Sequence, residues 1–253
     1  MQSTVNDFFR PIKLEDYPSD QDYERIKPYV RAIELASHLT YQSVYIIDYY
    51  RRGFIYVSDN PLLLCGNTPE VVMKMGYNFY LKYVPEEDLE LLLEINQAGF
   101  AFYSNIKMED RKKYSISYNF HIVQPNSHPL LINHKLAPLV LDKSGNIWLA
   151  LCYVSTSSDN KSGNILIRKH KSEKVYQYDL KEKLWKLRSD LKLTAIEKEI
   201  LILSCQGLTM SEIANQLFLT VNTIKFHRKK IFQILNVRNI TEAISYAANY
   251  NFI

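Results

Sequence analysis

The chain has 253 residues, of which 47% are hydrophobic and 23% charged, ordinary proportions for a globular protein with two modest cores. A net charge of +4 excludes a protein that binds nucleic acid over its whole surface but leaves room for one local basic patch. The longest apolar run, Ile147 to Val154, is too short to cross a bilayer, and the first residues contain no apolar signal core. We therefore expect a cytoplasmic protein without membrane contact.

Cys65, Cys152 and Cys205 each stand among apolar neighbours, and no two have the spacing of a disulfide or metal pair. We expect three reduced and buried thiols, which also fits the cytoplasm.

The first predicted element is a helix from about Asp20 to Leu39, within an N-terminal segment assigned to residues 1–39. Its apolar residues recur at steps of three and four, which is typical of one helical stripe. The stripe consists of Tyr23, Ile26, Val30 and Ile33. It packs on the domain that follows or on a second copy of the chain, and we favour the first.

Residues 40–156 show an α+β order. Two short strands come first, a broken helical region follows, and three long strands end the domain. The five strands are predicted over about 43–50, 54–58, 114–124, 129–141 and 146–155. This order predicts an antiparallel five-stranded sheet with short helices.

Three stretches of this domain, Tyr56–Asn60, Cys65–Glu70 and Val84–Asp88, resemble the characteristic stretches of PAS domains. The resemblance implies a sensor or dimerisation module. Cys65 lacks the neighbours of a flavin-photoadduct cysteine, and the helix predicted from Pro85 to Phe100 lacks the histidine that a haem PAS domain uses. A small apolar molecule in the domain or no ligand at all remains, so the cofactor stays unknown.

His121, His128 and His134 lie on or between two predicted strands, and three imidazoles within reach would suit zinc. We favour separate histidines with their own partners and predict no metal site. The sequence has no Gly-rich phosphate loop, no Gly-x-Ser-x-Gly and no His-Glu-x-x-His, so we predict no catalytic residues and no enzyme.

Residues 157–190 are assigned to a connector between domains. It begins in the polar run STSSDNKSG, and the alternation over 164–167 and 174–178 predicts a small hairpin. Trp185 is a candidate for docking the two domains together.

Residues 191–253 are predicted to form an all-α domain of four helices. Two capping boxes, Thr194 with Glu197 and Thr209 with Glu212, each predict a helix start. Gly207 between them suits a left-handed helix end. The order helix, Gly turn, shorter helix, tight turn, basic helix is that of a helix-turn-helix.

The helix that follows Thr220 has two unlike faces at about 100° per residue. Ile224, Ile231 and Leu235 share one face, and the opposite face carries polar and basic residues with one phenylalanine. The opposite face consists of Asn222, Lys225, Phe226, Lys229 and Gln233, with Arg228 at the boundary. Lysine can reach guanine acceptors or phosphates, asparagine can pair with adenine, and an exposed phenylalanine fits against thymine methyl groups.

The tail resembles the LuxR (GerE-type) helix-turn-helix over its whole length. The matching residues include Leu193-Thr194, Gly207-Leu208-Thr209, Glu212-Ile213-Ala214, Thr223 to His227 and Leu235-Asn236-Val237. The resemblance implies that Lys225, Phe226 and Lys229 approach bases and that Thr223 and His227 lie near the phosphate backbone. The complete predicted DNA-binding set is Asn222, Thr223, Lys225, Phe226, His227, Arg228, Lys229 and Lys230.

Two positions depart from the family pattern, since Ile196 and Ile240 stand where the family has arginine. The contacts of those arginines are therefore in doubt here. The last helix, near Thr241 to Tyr250, resembles the dimerisation helix of the family.

We therefore expect a sequence-specific transcription regulator that binds double-stranded DNA as a homodimer, with a PAS-like front domain that senses a signal or dimerises. One alternative is a response regulator whose receiver domain is phosphorylated at Asp48, with Glu15 and Asp16 as the acidic pair. The three adjacent strands over 114–155 argue against it, because a receiver alternates strands and helices. The other alternative is an interaction scaffold that never touches DNA.

Overall fold

The computed structural model describes residues 4–12, 16–125, 128–172, 174–188 and 192–249. These residues divide into two compact units. The first lies within residues 1–156 and 161–188, and the second within 157–160 and 189–253. No helix of the described ranges is long and apolar enough to span a bilayer.

The first unit is α+β. Its helices are α1 Val5–Phe9, α2 Asp20–Ser37, α3 Pro61–Leu64, α4 Pro69–Met75, α5 Asn78–Tyr83 and α6 Glu86–Ser104, followed by a 3-10 helix Met108–Lys113. Its strands are β1 Ser43–Asp48, β2 Gly53–Val57, β3 Tyr114–Ile122, β4 Leu130–Leu141, β5 Ile147–Thr156, β6 Gly163–Lys169, β7 Val175–Asp179 and β8 Leu184–Arg188.

One sheet contains all these strands, in the order β2-β1-β5-β4-β3-β6-β7-β8, and every pair is antiparallel. The antiparallel α+β prediction is confirmed, and the five predicted strands lie within two residues of the observed bounds. The predicted number of strands was wrong, because the sheet formed by the described residues has eight strands and not five. The three additional strands come from residues 163–188, for which the sequence predicts only a connector with a small hairpin.

Without a further strand, the outer edge of β3 would leave its backbone hydrogen-bonding groups unpaired. β6 pairs with that edge from Lys169 opposite Tyr114 to Gly163 opposite Asn119. Ile165, Leu166 and Ile167 are buried, so β6 is a core strand and not part of a surface hairpin.

Helices cover both faces of the strand β1, which is why all six of its residues are buried. Tyr45 and Ile47 belong to the core beneath α3 to α6. Ile46 faces the other way, into a second core with Ile26 of α2 and Trp148. The predicted stripe of α2 thus packs on its own domain, as we favoured.

A receiver domain does not fit this sheet, since a receiver is built on parallel strands. Asp48, the candidate phosphorylation site, is completely buried. Its carboxylate accepts hydrogen bonds from the Tyr23 hydroxyl at 2.7 Å and from the backbone N–H groups of Tyr50 and Arg51. Glu15 lies outside the described residues.

The second unit is the predicted four-helix domain, with α7 Ala195–Cys205, α8 Met210–Gln216, α9 Val221–Leu235 and α10 Ile240–Asn249. Tyr250, the last residue of the predicted final helix, lies outside the described range. Both capping boxes are present, and Gly207 has the left-handed φ of +88° that ends α7. Cys65 and Cys152 are buried as predicted, whereas Cys205 is exposed at the last residue of α7.

Candidate nucleic-acid interface

The helix α9 begins where the Thr220 hydroxyl accepts the N–H of Thr223 at 3.1 Å. Ile224, Ile231 and Leu235 are buried against the other helices of the unit, as their spacing predicts. This apolar side fixes the rotation of α9 about its own axis and therefore decides which side chains face outward.

Four of the eight predicted DNA-binding residues form the exposed face of α9. They are Asn222, Lys225, Phe226 and Lys229, at intervals of three, one and three residues. This spacing places them on one side of a helix, along about 10 Å of its axis. The face offers an amide, two ammonium groups and one phenyl ring.

The other four predicted residues are partly buried and have partners inside the unit. The Thr223 hydroxyl lies 2.9 Å from that of Thr220. The guanidinium of Arg228 lies 5.8 Å from the centre of the Phe232 ring, and burial lowers the pKa of Arg228. The Lys230 ammonium lies 2.9 Å from a carboxylate oxygen of Glu197.

The Glu197 carboxylate is fully buried and joins α7 to α9. Its Oε2 accepts the backbone N–H of Thr194 at 2.8 Å, while Oε1 faces Lys230, with His227 Nδ1 at 3.7 Å. Burial acts to raise the pKa of Glu197, but the bonds from Thr194 and Lys230 prevail and lower it. The sequence identified Glu197 only as half of a capping box. No pattern in the sequence indicated that the second carboxylate oxygen of Glu197 would face Lys230.

Positive charge is concentrated in the tail. Residues 191–253 contain seven Lys and Arg against four Glu, which is a net charge of +3 out of +4 for the whole chain. The segment Val221–Leu235 contains four basic residues and no acidic one. A polyanion would therefore meet its strongest attraction at this helix.

The sequence of the tail matches a known family. Residues 191–247 match the model described as bacterial regulatory proteins, luxR family. The tail is a LuxR-type helix-turn-helix. The matched residues include all four helices up to Ala247, so the LuxR-type assignment covers the whole exposed face of α9.

Curated relatives match part of the chain. The response regulator protein VraR of Staphylococcus saprophyticus is 30% identical over 105 residues, which is 40% of this chain and 50% of the relative. VraR of Staphylococcus aureus matches to the same extent. The chain thus matches about half the length of these relatives, and the antiparallel sheet of its first unit differs from a receiver domain.

Solved structures resemble the chain more distantly. The Vibrio cholerae VqmA dimer, a LuxR-type receptor, is 18% identical with a TM-score of 0.36, and 88% of each chain is covered. A PAS domain from Colwellia psychrerythraea is 13% identical with a TM-score of 0.36, covering 52% of this chain and 95% of that one. Both scores are low.

The first unit contains a cavity of about 90 Å³ between the sheet and α6. By the space that one buried water needs, roughly 10–15 Å³, it has room for several waters or one small molecule. Nine of its 21 lining residues are aromatic, including Tyr49, Tyr77, Tyr80 and Tyr118, and most of the others are aliphatic. The sequence contains 19 tyrosines, but nothing in their spacing indicated that several would converge on one cavity.

Behind the cavity wall lies a buried polar network. The Tyr45 hydroxyl is 2.6 Å from that of Tyr80 and 2.5 Å from Nε2 of His134. Burial lowers the pKa of His134 to about 3, so the imidazole is neutral at ordinary pH. It raises the pKa of the Tyr45, Tyr80 and Tyr118 hydroxyls, which therefore stay protonated.

The three histidines considered for zinc are not brought together. His134 lies opposite Tyr118 on β3, whereas His121 is three residues further along that strand and faces the other side of the sheet. Among the described residues no group of three His, Cys, Asp or Glu side chains is placed to hold a metal ion.

His121 belongs to a cluster with Asp88 and Ser162 that contains the residue types of a hydrolytic triad. Nδ1 of His121 lies 2.8 Å from Asp88 Oδ2 and 3.0 Å from Ser162 Oγ. A triad needs the carboxylate and the hydroxyl on different ring nitrogens, so that one proton can pass from serine to histidine. Here both face the same nitrogen, and the cluster fastens β3 and the start of β6 to the N-terminus of α6.

Proposed function

We propose that this chain is a sequence-specific transcription regulator that binds double-stranded DNA through the exposed face of α9. The observation that carries the proposal is the placement of Asn222, Lys225, Phe226 and Lys229 on the outer side of a helix whose inner side is buried. In helix-turn-helix proteins the corresponding helix enters the major groove. There lysine can donate to guanine O6 and N7, and asparagine can pair with adenine.

Within this proposal the eight predicted residues divide into two groups. The four on the exposed face of α9 contact bases. The other four hold α9 in its position within the unit, and the exposed parts of their side chains contribute to phosphate binding. These four are Thr223, His227, Arg228 and Lys230. Each base contact made by lysine is worth roughly 1–3 kcal/mol of discrimination.

A band-shift assay tests the proposal. The full chain is used to select duplexes from a random pool, and the selected duplex is compared with a scrambled one. Lys225→Ala and Lys229→Ala should each weaken the selected duplex by roughly 10- to 100-fold and reduce the preference over the scrambled one. Lys198→Ala removes an exposed lysine of α7 and serves as the control for charge alone. A scaffold that does not bind DNA should retard neither duplex at low salt.

The first unit, in this proposal, is a PAS-like sensory and dimerising module, and its cavity holds a small, largely apolar molecule. The supporting observation is the cavity of about 90 Å³ with its wall of aromatic and aliphatic side chains. A dimer would place two α9 helices in successive major grooves, and a ligand would change their placement and so the affinity. VqmA, by comparison, has been solved as a complex with a ligand and DNA.

We also propose that the chain has no enzymatic activity and works in the cytoplasm as a homodimer. The geometry of Asp88, His121 and Ser162, with one nitrogen facing both partners, supports the first point. Native mass spectrometry of the full chain tests the homodimer and the ligand in the cavity, because it reports the number of chains and any retained small molecule together. A monomer without bound ligand would contradict both of these proposals.

A further inference from the structure

Phe226 is an apolar residue in a polar setting. Its side chain is 64% exposed at the middle of α9, and its ring contacts the His227 ring edge-on at 5.6 Å. The residues around it on the exposed face of α9 are Asn222, Lys225 and Lys229, which are all polar or charged. On this face of α9 the ring is therefore a single apolar group among polar side chains.

This isolation favours one kind of partner surface. A protein partner usually covers a contiguous apolar patch of several hundred square ångström. The floor of the DNA major groove is different, since base edges there present hydrogen-bond donors and acceptors. The apolar group among them is the C5-methyl of thymine.

The spacing along α9 places this contact between two polar ones. Phe226 is four residues after Asn222 and three before Lys229, which corresponds to about 6 Å and 4.5 Å along the axis. Successive bases of one strand are about 3.4 Å apart along the DNA axis. An aromatic side chain at Phe226 thus lies within one or two base steps of the bases that Asn222 and Lys229 can reach.

We infer that Phe226 recognises the C5-methyl group of a thymine and makes the chain discriminate thymine from other pyrimidines at one position of each half-site. The inference rests on the proposed binding of α9 in the major groove. Removing that methyl group, as deoxyuridine does, removes apolar contact but keeps every hydrogen-bonding group of the base. The loss of one buried methyl should weaken binding roughly fourfold.

The test uses the full chain and a duplex selected from a random pool. Each thymine of the selected duplex is replaced in turn by deoxyuridine, and the dissociation constants are measured for the wild type and for Phe226→Ala. At one position per half-site the wild type should bind roughly fourfold more weakly to uracil than to thymine. Phe226→Ala should bind the thymine duplex more weakly but show no difference between thymine and uracil there.

Two further variants separate this contact from general effects. Phe226→Leu keeps an apolar side chain and should keep most of the discrimination. Phe218→Ala removes the phenyl ring of Phe218, which is 96% exposed in the turn before α9. It should leave the thymine-to-uracil ratio unchanged, whatever it does to affinity. Circular dichroism confirms that each variant is folded.

The outcomes are distinguishable. Sequence-specific binding that is indifferent to uracil at every position, or a uracil effect that persists in Phe226→Ala, overturns the inference and leaves the proposed function standing. The absence of sequence-specific binding to any duplex overturns both.

Discussion

The lysines of α9 carry the same charge but occupy different environments. Lys229 is exposed, while Lys230 holds the buried Glu197 carboxylate at 2.9 Å. Removing one partner of a buried pair leaves an uncompensated charge inside the protein. Because the Lys230 side chain is 45% exposed, solvent reduces the cost well below that of a fully buried pair.

We predict that Lys230→Ala destabilises the second unit by about 1–2 kcal/mol. Lys229→Ala should leave stability unchanged and weaken DNA binding instead. Hydrogen exchange of the α7 and α9 amides in the full chain measures the first effect, and the band shift measures the second. Equal exchange rates in the two variants would show that the pair with Glu197 is not structural.

His134 makes the stability of the first unit depend on pH. Its pKa in the folded protein is about 3, against an ordinary value of 6.5, because burial disfavours the charged ring. The unfolded chain therefore takes up a proton as the pH falls below 6.5, while the folded chain does not until about pH 3. The contribution of His134 is complete above pH 6.5 and is lost as the pH falls towards 3, at about 1.4 kcal/mol per pH unit.

His134→Gln should flatten this dependence, since glutamine can still form a hydrogen bond with the Tyr45 hydroxyl but does not titrate. Both tryptophans of the chain, Trp148 and Trp185, lie in the first unit, so their fluorescence follows its thermal unfolding. Between pH 7.5 and 4.5 the variant should lose less melting temperature than the wild type. His38→Gln changes an exposed histidine and should keep the wild-type slope. If both variants kept that slope, another group would dominate the acid response.

At the scale of elements, the three strands over 163–188 determine which substitutions in this segment should destabilise the first unit. Ile165 is 1% exposed and belongs to the core beneath α6. We predict that Ile165→Ala destabilises the first unit by about 2–4 kcal/mol, the usual cost of emptying a core position. Leu187→Ala on β8 truncates a side chain that is 59% exposed and should change stability by no more than about 0.5 kcal/mol. Urea unfolding followed by tryptophan fluorescence distinguishes this from a connector, for which both changes would be mild.

The tail was more predictable than the sheet, and the reason is local chemistry. Capping boxes, a left-handed glycine and a period of 3.6 residues are encoded within a few positions, so Thr194, Thr209 and Gly207 located the helices of the second unit. Strand partners depend on distant residues. Nothing in the sequence near Ile165 specifies that Ile167, two residues further on, pairs with Ile116 of the distant strand β3.

The candidate sites, like the fold, were predictable only where the sequence signal is local. The periodicity of α9 predicted its buried and outward sides, but not the partner of Lys230, which lies on another helix. The cavity wall depended on how tyrosines from several helices and strands converge. Their sequence positions alone did not contain that convergence.

At the scale of the whole molecule, two-fold symmetry makes a geometric prediction about DNA. If the protein binds as a homodimer, both α9 helices bind one face of the duplex only when the half-sites are centred about one turn, or 10–10.5 base pairs, apart. A duplex with two half-sites at that spacing should bind at least about 100-fold more tightly than one half-site, because the second contact becomes intramolecular. Band shifts of the two duplexes measure the ratio.

Spacing variants decide whether that gain comes from symmetry or merely from a second copy of the sequence. Inserting five base pairs between the half-sites rotates one by about half a turn, so that the two helices of a dimer can no longer reach both at once. The affinity should then fall to nearly that of a single half-site. Ten inserted base pairs should return both half-sites to the same side of the duplex, although the distance between them stays larger than before the insertion. Independent monomers would bind all three duplexes with equal affinity per half-site, and that result would exclude a dimer with a fixed separation between its α9 helices.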